Sequence, residues 1–123
     1  MFDSAQELVI DRAKHPRFGG HLENSTNQAD GANQSCGDEI HLELVVQEGK
    51  VKDVRHQTRS CTVCAASADL LAEWMVGKSL DDLQELSPKQ IQEMINLPLS
   101  PVRLKCVLLP LETARCAIQT SET

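Results

Sequence analysis

Apolar residues occupy every second position from Ile40 to Val46, and most of the residues between them are polar. This period of two predicts a β-strand with one buried face. Glu48-Gly49 then predicts a hairpin turn, and residues 50–58 supply a return strand. Val51 and Val54 are out of phase in that strand, so we expect a β-bulge there.

Two segments have the apolar spacing of helices. Residues 4–14 predict a short helix that ends at His15-Pro16, because the residue before a proline disfavours the helical region. Residues 66–76 carry apolar side chains at i, i+4 spacing, and Gly77 is placed to end this second helix.

Two later helices are predicted from their N-terminal residues. Ser87-Pro88 places a capping serine before a proline at the first helical position, and Gln90 completes a capping box. Ser100-Pro101 repeats the serine–proline signal, and the helix that follows carries Cys106 on its second turn. Pro110 costs this last helix a hydrogen bond and about 3 kcal/mol, so we expect a kink or a restart there.

The order of these elements predicts an α+β fold, in which a small antiparallel β-sheet packs against several α-helices. The polar segment 24–37, rich in Asn, Gln, Ser and Gly, is expected to be an exposed connection. At 123 residues, without a repeat or a shift in composition, the chain is expected to form a single domain over residues 1–123.

The composition narrows the classes of function. A formal net charge of −6 offers no basic surface for phosphates, so a nucleic-acid partner is not expected. The N-terminal sequence lacks the pattern of a signal peptide, no apolar run is long enough for a membrane span, and we expect a cytoplasmic protein. Five cysteines, an odd number, then favour metal binding or thiol chemistry over a disulfide framework.

The cysteines lie in short motifs that are individually weak. Cys36-Gly37-Asp38 brings a thiol and a carboxylate within reach of one ion, although the aspartate could instead cap a turn. Cys61-Thr-Val-Cys64 suits half of a zinc site or a redox pair, and Cys61 precedes a helix N-terminus, where a thiolate is favoured. Cys64 could bind metal, resolve an oxidised Cys61 or face the core, and the core or a spectator role is favoured.

The remaining candidates add less. Arg103 and Lys105 would lower the pKa of the Cys106 thiol if their side chains point the same way, and otherwise this face of the helix is solvated. Cys116 lies in an apolar pattern and is expected to be a buried small residue. The histidines are expected at the surface and none is assigned as a ligand, although His41 could approach the segment 36–38.

Taken in order, five segments resemble the U-type iron–sulfur assembly scaffold family, which includes IscU, SufU and the N-terminal domain of NifU. The likeness spans almost the whole chain. The segments are His15-Pro16-Arg17 with Gly20, Cys36-Gly37-Asp38-Glu39-Ile40, Cys61 followed by Ala66-Ser67, residues 73–80, and Pro101-Val102-Arg103-Leu104-Lys105-Cys106.

The resemblance implies a site and an activity. Residues matching Cys36, Asp38, Cys61 and Cys106 bind a nascent [2Fe–2S] cluster or zinc in that family, clustered at one end of a helix-covered sheet. A cysteine desulfurase supplies the sulfur, and apo-protein acceptors receive the cluster. A hard carboxylate among soft thiolates should make the site labile, so Asp38 would be the release element.

Two departures leave two functions open. Lys105 stands where the IscU branch has histidine, and a lysine at this position is closer to SufU. Ser60 stands where the family commonly has glycine. The 44 residues between Cys61 and Cys106 match the IscU spacing instead. The chain is therefore expected to be a cluster scaffold rather than an enzyme, or a zinc-dependent sulfur carrier that stimulates a desulfurase through a persulfide on Cys106 or Cys36.

Three further hypotheses follow. Leu99 to Arg103 resembles the segment by which an Hsp70-type chaperone recognises IscU-type scaffolds, although Ser100 departs from it and has a capping role. A thiol oxidoreductase centred on Cys61 and Cys64 would need a thioredoxin-like βαβ context, which the pattern does not show. A degenerate relative could use metal only for folding.

Overall fold

A computed structural model describes residues 4–34 and 37–119 and confirms the predicted α+β class. The strands are β1 (Asn27–Asn33), β2 (Asp38–Gln47) and β3 (Lys50–Arg59). The helices are α1 (Ser4–Lys14), α2 (Thr62–Met75), α3 (Leu80–Glu85), α4 (Pro88–Ile95) and α5 (Pro101–Gln119). In these described residues, no helix combines the length and apolar character that crossing a membrane requires.

The sheet is antiparallel in the order β1-β2-β3, and its hairpin forms as predicted. Glu48 and Gly49 have φ angles of 54° and 74°, the left-handed values of a tight hairpin turn. Val45 pairs with Asp53 and Val46 pairs with Val51, which leaves one extra residue on β3. This bulge brings the out-of-phase Val51 and Val54 to the buried face, as predicted.

The prediction of an exposed connection over residues 24–37 is wrong for β1. This strand has few apolar side chains and is held by other means: its backbone pairs with β2, and Asn27 donates to the carbonyl of Ala117 at 2.9 Å. Gly31 lets α5 approach, since a Cβ there would lie 2.0 Å from the Thr113 hydroxyl oxygen. Composition therefore gave no sign of the strand.

The helices confirm most of their predicted boundaries. α1 and α4 form where expected, with the Ser87–Gln90 capping box in place, while α2 begins at Thr62, slightly before its predicted start near Cys64 or Ala65. The helix α3 was not predicted, although Ser79 and Asp82 form a capping box that the sequence could have revealed.

The core lies between the sheet and the helices. α2 and α5 cover one face of the sheet, and α1 packs against α2. Among the described residues, eighteen that are buried form the main apolar cluster, and the largest fully buried side chains include Leu44, Leu71, Met75, Leu83 and Leu111. Because α2 and α5 both pack on the sheet, their N-terminal turns are fixed relative to its strands.

The expected restart at Pro110 does not occur, because α5 continues from Pro101 to Gln119. Pro110 cannot donate to the carbonyl of Cys106. The next carbonyl, that of Val107, accepts a hydrogen bond of 2.9 Å from the Ser67 hydroxyl of α2. This bond ties α5 to α2 next to the proline, and Pro110 itself is buried.

Candidate metal centre

Three predicted ligands converge from three elements. Asp38 is the first residue of β2, Cys61 is the N-cap of α2, and Cys106 lies on the second turn of α5. One carboxylate oxygen and the two sulfur atoms all lie within 4.8 Å of one another. The antiparallel sheet and the two helices packed on it thus bring together residues that are far apart in the sequence.

The fourth predicted ligand, Cys36, lies outside the described residues. Gly37, which follows it, has a φ of 74° and donates its backbone N–H to the carbonyl of Asn33 at 2.9 Å. This hydrogen bond links the end of β1 to the residue before Asp38. Glycine is suited to the left-handed conformation at position 37.

Asp38 is buried without full hydrogen bonding. Its side chain belongs to a residue that is 2% exposed, and Oδ2 has no hydrogen-bond partner among the residues described. A buried carboxylate oxygen without a donor costs about 1–3 kcal/mol or more. A cation held by this oxygen and the neighbouring sulfurs would remove that cost, so the residues fit a metal.

The ligands border an open cavity of about 350 Å³. Cys106 is buried and Cys61 is half-buried, so both sulfurs lie at the edge of the protein interior. Arg103 and the exposed Val102 also line this cavity, whereas Lys105 is exposed and does not. Of the two cations predicted to lie near Cys106, only Arg103 therefore borders the site.

The backbone at Cys61 has the geometry predicted from the sequence. Cys61 is extended, with φ −66° and ψ 163°, and its carbonyl accepts the N–H of Ala65 at 3.0 Å. Its sulfur makes no capping hydrogen bond to α2. The Cys61 thiol therefore lies at the start of α2 but does not cap the helix.

The donor set is that of a zinc or iron–sulfur site. Two cysteine sulfurs and one carboxylate oxygen provide three positions of a tetrahedral zinc site, which needs one more ligand. Cysteine sulfurs are also the usual protein ligands of iron–sulfur clusters. Four sulfur ligands would bind these ions more strongly than a set that includes the oxygen of Asp38.

The other two cysteines differ from each other. Cys64 is fully buried, which confirms the predicted core position, and it is not one of the three converging ligands. The prediction that Cys116 is buried is wrong, because it is exposed on α5. Ala114, Ala117 and Ile118 face the core at helical spacing, and this places Cys116 on the opposite side of the helix.

The group of converging ligands found among the described residues contains no histidine, and the prediction that His56 lies at the surface is wrong. His56 is 4% exposed, and its Nε2 lies 3.0 Å from the Asp69 carboxylate. The bulge in β3 turns His56 towards α2, together with Val54. His41 is half-buried on the outer face of the sheet and contacts Asp30 and Glu43.

A buried ionic cluster around Asp69 was not found from the sequence. Its carboxylate, 0% exposed, contacts Arg12 Nε at 2.5 Å and accepts the backbone N–H groups of Arg17 and Phe18. Burial alone would raise the pKa of Asp69, but hydrogen bonds from His56, Arg12 and the backbone outweigh it and hold the pKa well below its usual range. The sequence held one sign of this cluster, a single aspartate inside a helix that is otherwise mostly apolar.

A second carboxylate, Glu43, is buried on the outer face of the sheet. It accepts the backbone N–H of Leu22 at 2.7 Å, and one oxygen lies 2.9 Å from ring nitrogens of both His21 and His41. These contacts lower the pKa of Glu43 to about 2. The cluster ties the segment before β1 to the centre of the sheet.

The fold and the site define a class: a small α+β metal-binding protein whose ligands converge from a strand and two helix N-terminal regions. Residues 4–122 match the family described as the NifU-like N terminal domain, and the chain belongs to that family. This finding confirms the resemblance drawn from the five sequence segments.

Named relatives agree with the family. The chain is 36% identical over 117 residues to the iron–sulfur cluster assembly scaffold protein IscU of Escherichia coli K12, covering 91% of this chain and 89% of that protein. It is 30% identical over 129 residues to IscU of Thermotoga maritima, covering 92% and 91%. A crystal structure of an iron–sulfur scaffold protein for the SUF system from Fervidobacterium islandicum superposes with a TM-score of 0.77 at 27% identity, covering 94% of this chain and 99% of that one.

Proposed function

We propose that this protein is a scaffold on which [2Fe–2S] clusters are assembled and from which they are transferred to apo-proteins. Cys36, Asp38, Cys61 and Cys106 are the ligands in this proposal, and a cysteine desulfurase supplies the sulfur. The observation that carries it is the buried Asp38 carboxylate, whose Oδ2 has no partner among the described residues and which lies within 4.8 Å of two cysteine sulfurs.

The mixed ligands suit a cargo that must be released. Thiolates hold iron in a cluster, whereas a carboxylate is a harder and weaker ligand at such a site. The open cavity beside Cys61 and Cys106 gives an incoming acceptor access to the ligands. Asp38 is therefore proposed as the ligand through which the cluster leaves.

Anaerobic reconstitution tests the proposal. Purified protein with ferrous iron and sulfide should gain visible absorption typical of a cluster and pass it to an apo-ferredoxin. Cys61→Ala and Cys106→Ala should each abolish stable assembly. Cys116→Ala, which removes an exposed cysteine outside the ligand group, should behave as the unchanged protein. A protein that stays colourless with all its ligands intact would refute the scaffold function.

A second candidate function is a zinc-dependent sulfur carrier. Lys105 stands where the resemblance places a histidine in the IscU branch, and the SUF-system structure superposes over nearly its whole length, which supports this alternative. Zinc would occupy the same ligands, and Cys106 or Cys36 would accept the persulfide. Zinc-loaded protein should then accelerate desulfurase turnover and gain sulfane sulfur, and an unchanged rate would reject this alternative.

An Hsp70-type chaperone is a further proposed partner, at Leu99 to Arg103. Ser100 Oγ accepts the backbone N–H of Arg103 at 3.3 Å, and Val102 is 60% exposed. The segment thus begins α5 and also presents an apolar side chain to solvent. Peptide 97–105 should bind such a chaperone and stimulate its ATPase, and failure to do either would remove this partner.

A further inference from the structure

The first turn of α2 carries a second cysteine that the proposed ligand set does not use. Cys61 is the N-cap of this helix, and Cys64 is its third residue. Cys61 is half-buried beside the cavity, whereas Cys64 is 0% exposed and lies outside the ligand group. The Cys-x-x-Cys motif therefore pairs an accessible thiol with one that solvent does not reach.

The N-cap and the third residue of a helix are positions whose groups can meet. In α3 they are Ser79 and Asp82, and each side chain reaches the backbone of the other residue: Ser79 Oγ accepts the N–H of Asp82 at 3.0 Å, and Asp82 Oδ2 accepts the N–H of Ser79 at 3.4 Å. Cys61 has nearly the backbone conformation of Ser79: the φ and ψ angles are −66° and 163° for Cys61, and −76° and 161° for Ser79. Residues three apart on a helix have Cβ atoms roughly 5–6 Å apart, so a modest adjustment suffices for a disulfide.

We infer that Cys64 resolves a persulfide formed on Cys61, so that the delivered sulfur leaves as sulfide next to the metal ligands. The inference rests on the proposed function, in which a desulfurase supplies sulfur, and a persulfide received on Cys106 would first pass its outer sulfur to Cys61, which lies within 4.8 Å. The sulfur of Cys64 attacks the Sγ of Cys61, and the bond from that Sγ to the terminal sulfur breaks. A Cys61–Cys64 disulfide forms, and the terminal sulfur departs with the electron pair and a proton.

The step is balanced in atoms and electrons. One persulfide and one thiol give one disulfide and one hydrogen sulfide. Relative to two thiols and a zero-valent sulfur atom, the thiol pair loses two electrons and the sulfur gains them. A persulfide donor, such as the desulfurase cysteine, supplies the sulfur, and a dithiol reductant returns Cys61 and Cys64 to thiols afterwards.

The surroundings favour Cys64 for this step. Its burial keeps external thiols away from it, so its reaction partner must be a group of the same chain. Cys106 lies within 4.8 Å of Cys61 and can pass a persulfide sulfur to it, but Cys106 is needed as a metal ligand. Cys64 can form a disulfide without removing a second ligand from the set.

Polysulfide loading tests the inference on the full chain. Metal-free, reduced protein would be treated anaerobically with inorganic polysulfide and desalted, and hydrogen sulfide release would be followed without added reductant. The tryptic peptide 60–78 holds both cysteines, so mass spectrometry distinguishes an added sulfur atom from an internal disulfide. The unchanged protein and Cys116→Ala should release sulfide and form the disulfide.

Cys64→Ala should instead keep the added sulfur on Cys61 and release sulfide at least roughly tenfold more slowly. Cys64→Ser provides a second variant of nearly equal size, and circular dichroism checks that each is folded. Equal release from these variants would overturn the inference, as would a disulfide from Cys61 to Cys106 or Cys36, or a persulfide that persists in the unchanged protein.

The result is separate from the test of the scaffold. Polysulfide loading uses neither iron nor a desulfurase, so its failure overturns the role of Cys64 and leaves cluster assembly untouched. Failed reconstitution with iron and sulfide would refute the scaffold, while the reaction between Cys61 and Cys64 would still be measurable.

Discussion

At the scale of single residues, Asp38 shows which part of the site the sequence could predict. The tripeptide Cys36-Gly37-Asp38 indicated that a thiol and a carboxylate lie near each other along the chain. It could not indicate that Asp38 is 2% exposed beside Cys61 and Cys106, because that burial is created by α2 and α5 packing on the sheet. The family resemblance supplied the ligand set that spacing left open.

Asp38→Ala should stabilise the metal-free protein, since it removes a buried oxygen that has no hydrogen-bond partner among the described residues. We expect the free energy of unfolding in urea to rise by about 1–3 kcal/mol. The reconstituted variant should also transfer its cluster severalfold more slowly to an apo-ferredoxin. Glu39→Ala, at the exposed next residue, is the matched control and should change neither quantity.

At the scale of elements, α2 joins the parts of the fold that the sequence did not connect. Asp69 of this helix binds Arg12 of α1, His56 of β3 and the backbone after α1. The helix itself was predicted from apolar spacing, but these partners are 57 and 13 residues away in the sequence. No periodicity relates them, and tertiary packing alone brings them together.

Asp69→Asn should therefore destabilise the protein strongly. The substitution keeps the shape of the side chain but removes the buried anionic partner of Arg12, which then pairs only with the exposed Glu73 among the described residues. We expect the free energy of unfolding to fall by about 3 kcal/mol. Asp53→Asn, which affects a more exposed pair with Arg55, should cost less than about 1 kcal/mol. A loss for Asp69→Asn no greater than that of Asp53→Asn would contradict this assignment.

The strand β1 gives a second prediction at the scale of elements. Its polar composition suggested a connection, but backbone pairing with β2 and close packing on α5 make it a strand. Gly31→Ala would place a Cβ 2.0 Å from Thr113 Oγ1, which overpacks the contact and should cost about 1–3 kcal/mol.

Thr113→Ala in the Gly31→Ala background tests that explanation, because it removes the clashing hydroxyl. The alanine at position 31 should then cost less than it does beside threonine, with a remainder from Ile40 and Leu109 at 3.2 Å. Thermal or urea unfolding of the four proteins of this cycle measures the coupling. Additive losses would show that the contact with Thr113 is unimportant.

At the scale of the whole molecule, two of the buried carboxylates, Glu43 and Asp69, set the response to acid. The pKa values of Glu43, at about 2, and of Asp69 lie below their ordinary values of 4.5 and 3.8. A lowered pKa means that the folded state prefers the charged form, so this stability is present at neutral pH and is lost as the pH falls. The pKa of His41 is raised by hydrogen bonding to Asp30 and Glu43, so its contribution is lost as the pH rises above about 6.5.

Glu43→Gln should reduce the loss of unfolding free energy at acidic pH. The unchanged protein should lose stability between about pH 4.5 and pH 2, while the variant should be less stable at neutral pH and change less over that interval. Urea unfolding at a series of pH values measures both. If the unfolding free energy of the variant depends on pH as steeply as that of the unchanged protein, folding does not lower the pKa of Glu43.

The convergence of Asp38, Cys61 and Cys106 has a thermodynamic consequence. An ion held by a strand and two helices would bind the folded protein and not the unfolded chain, so it would raise the melting temperature by mass action. Release of the ion or cluster, as proposed above, would remove this stabilisation. The protein that has released its cluster would then be less stable than the loaded protein. The melting temperature of a sample would therefore report how much of the protein is still loaded.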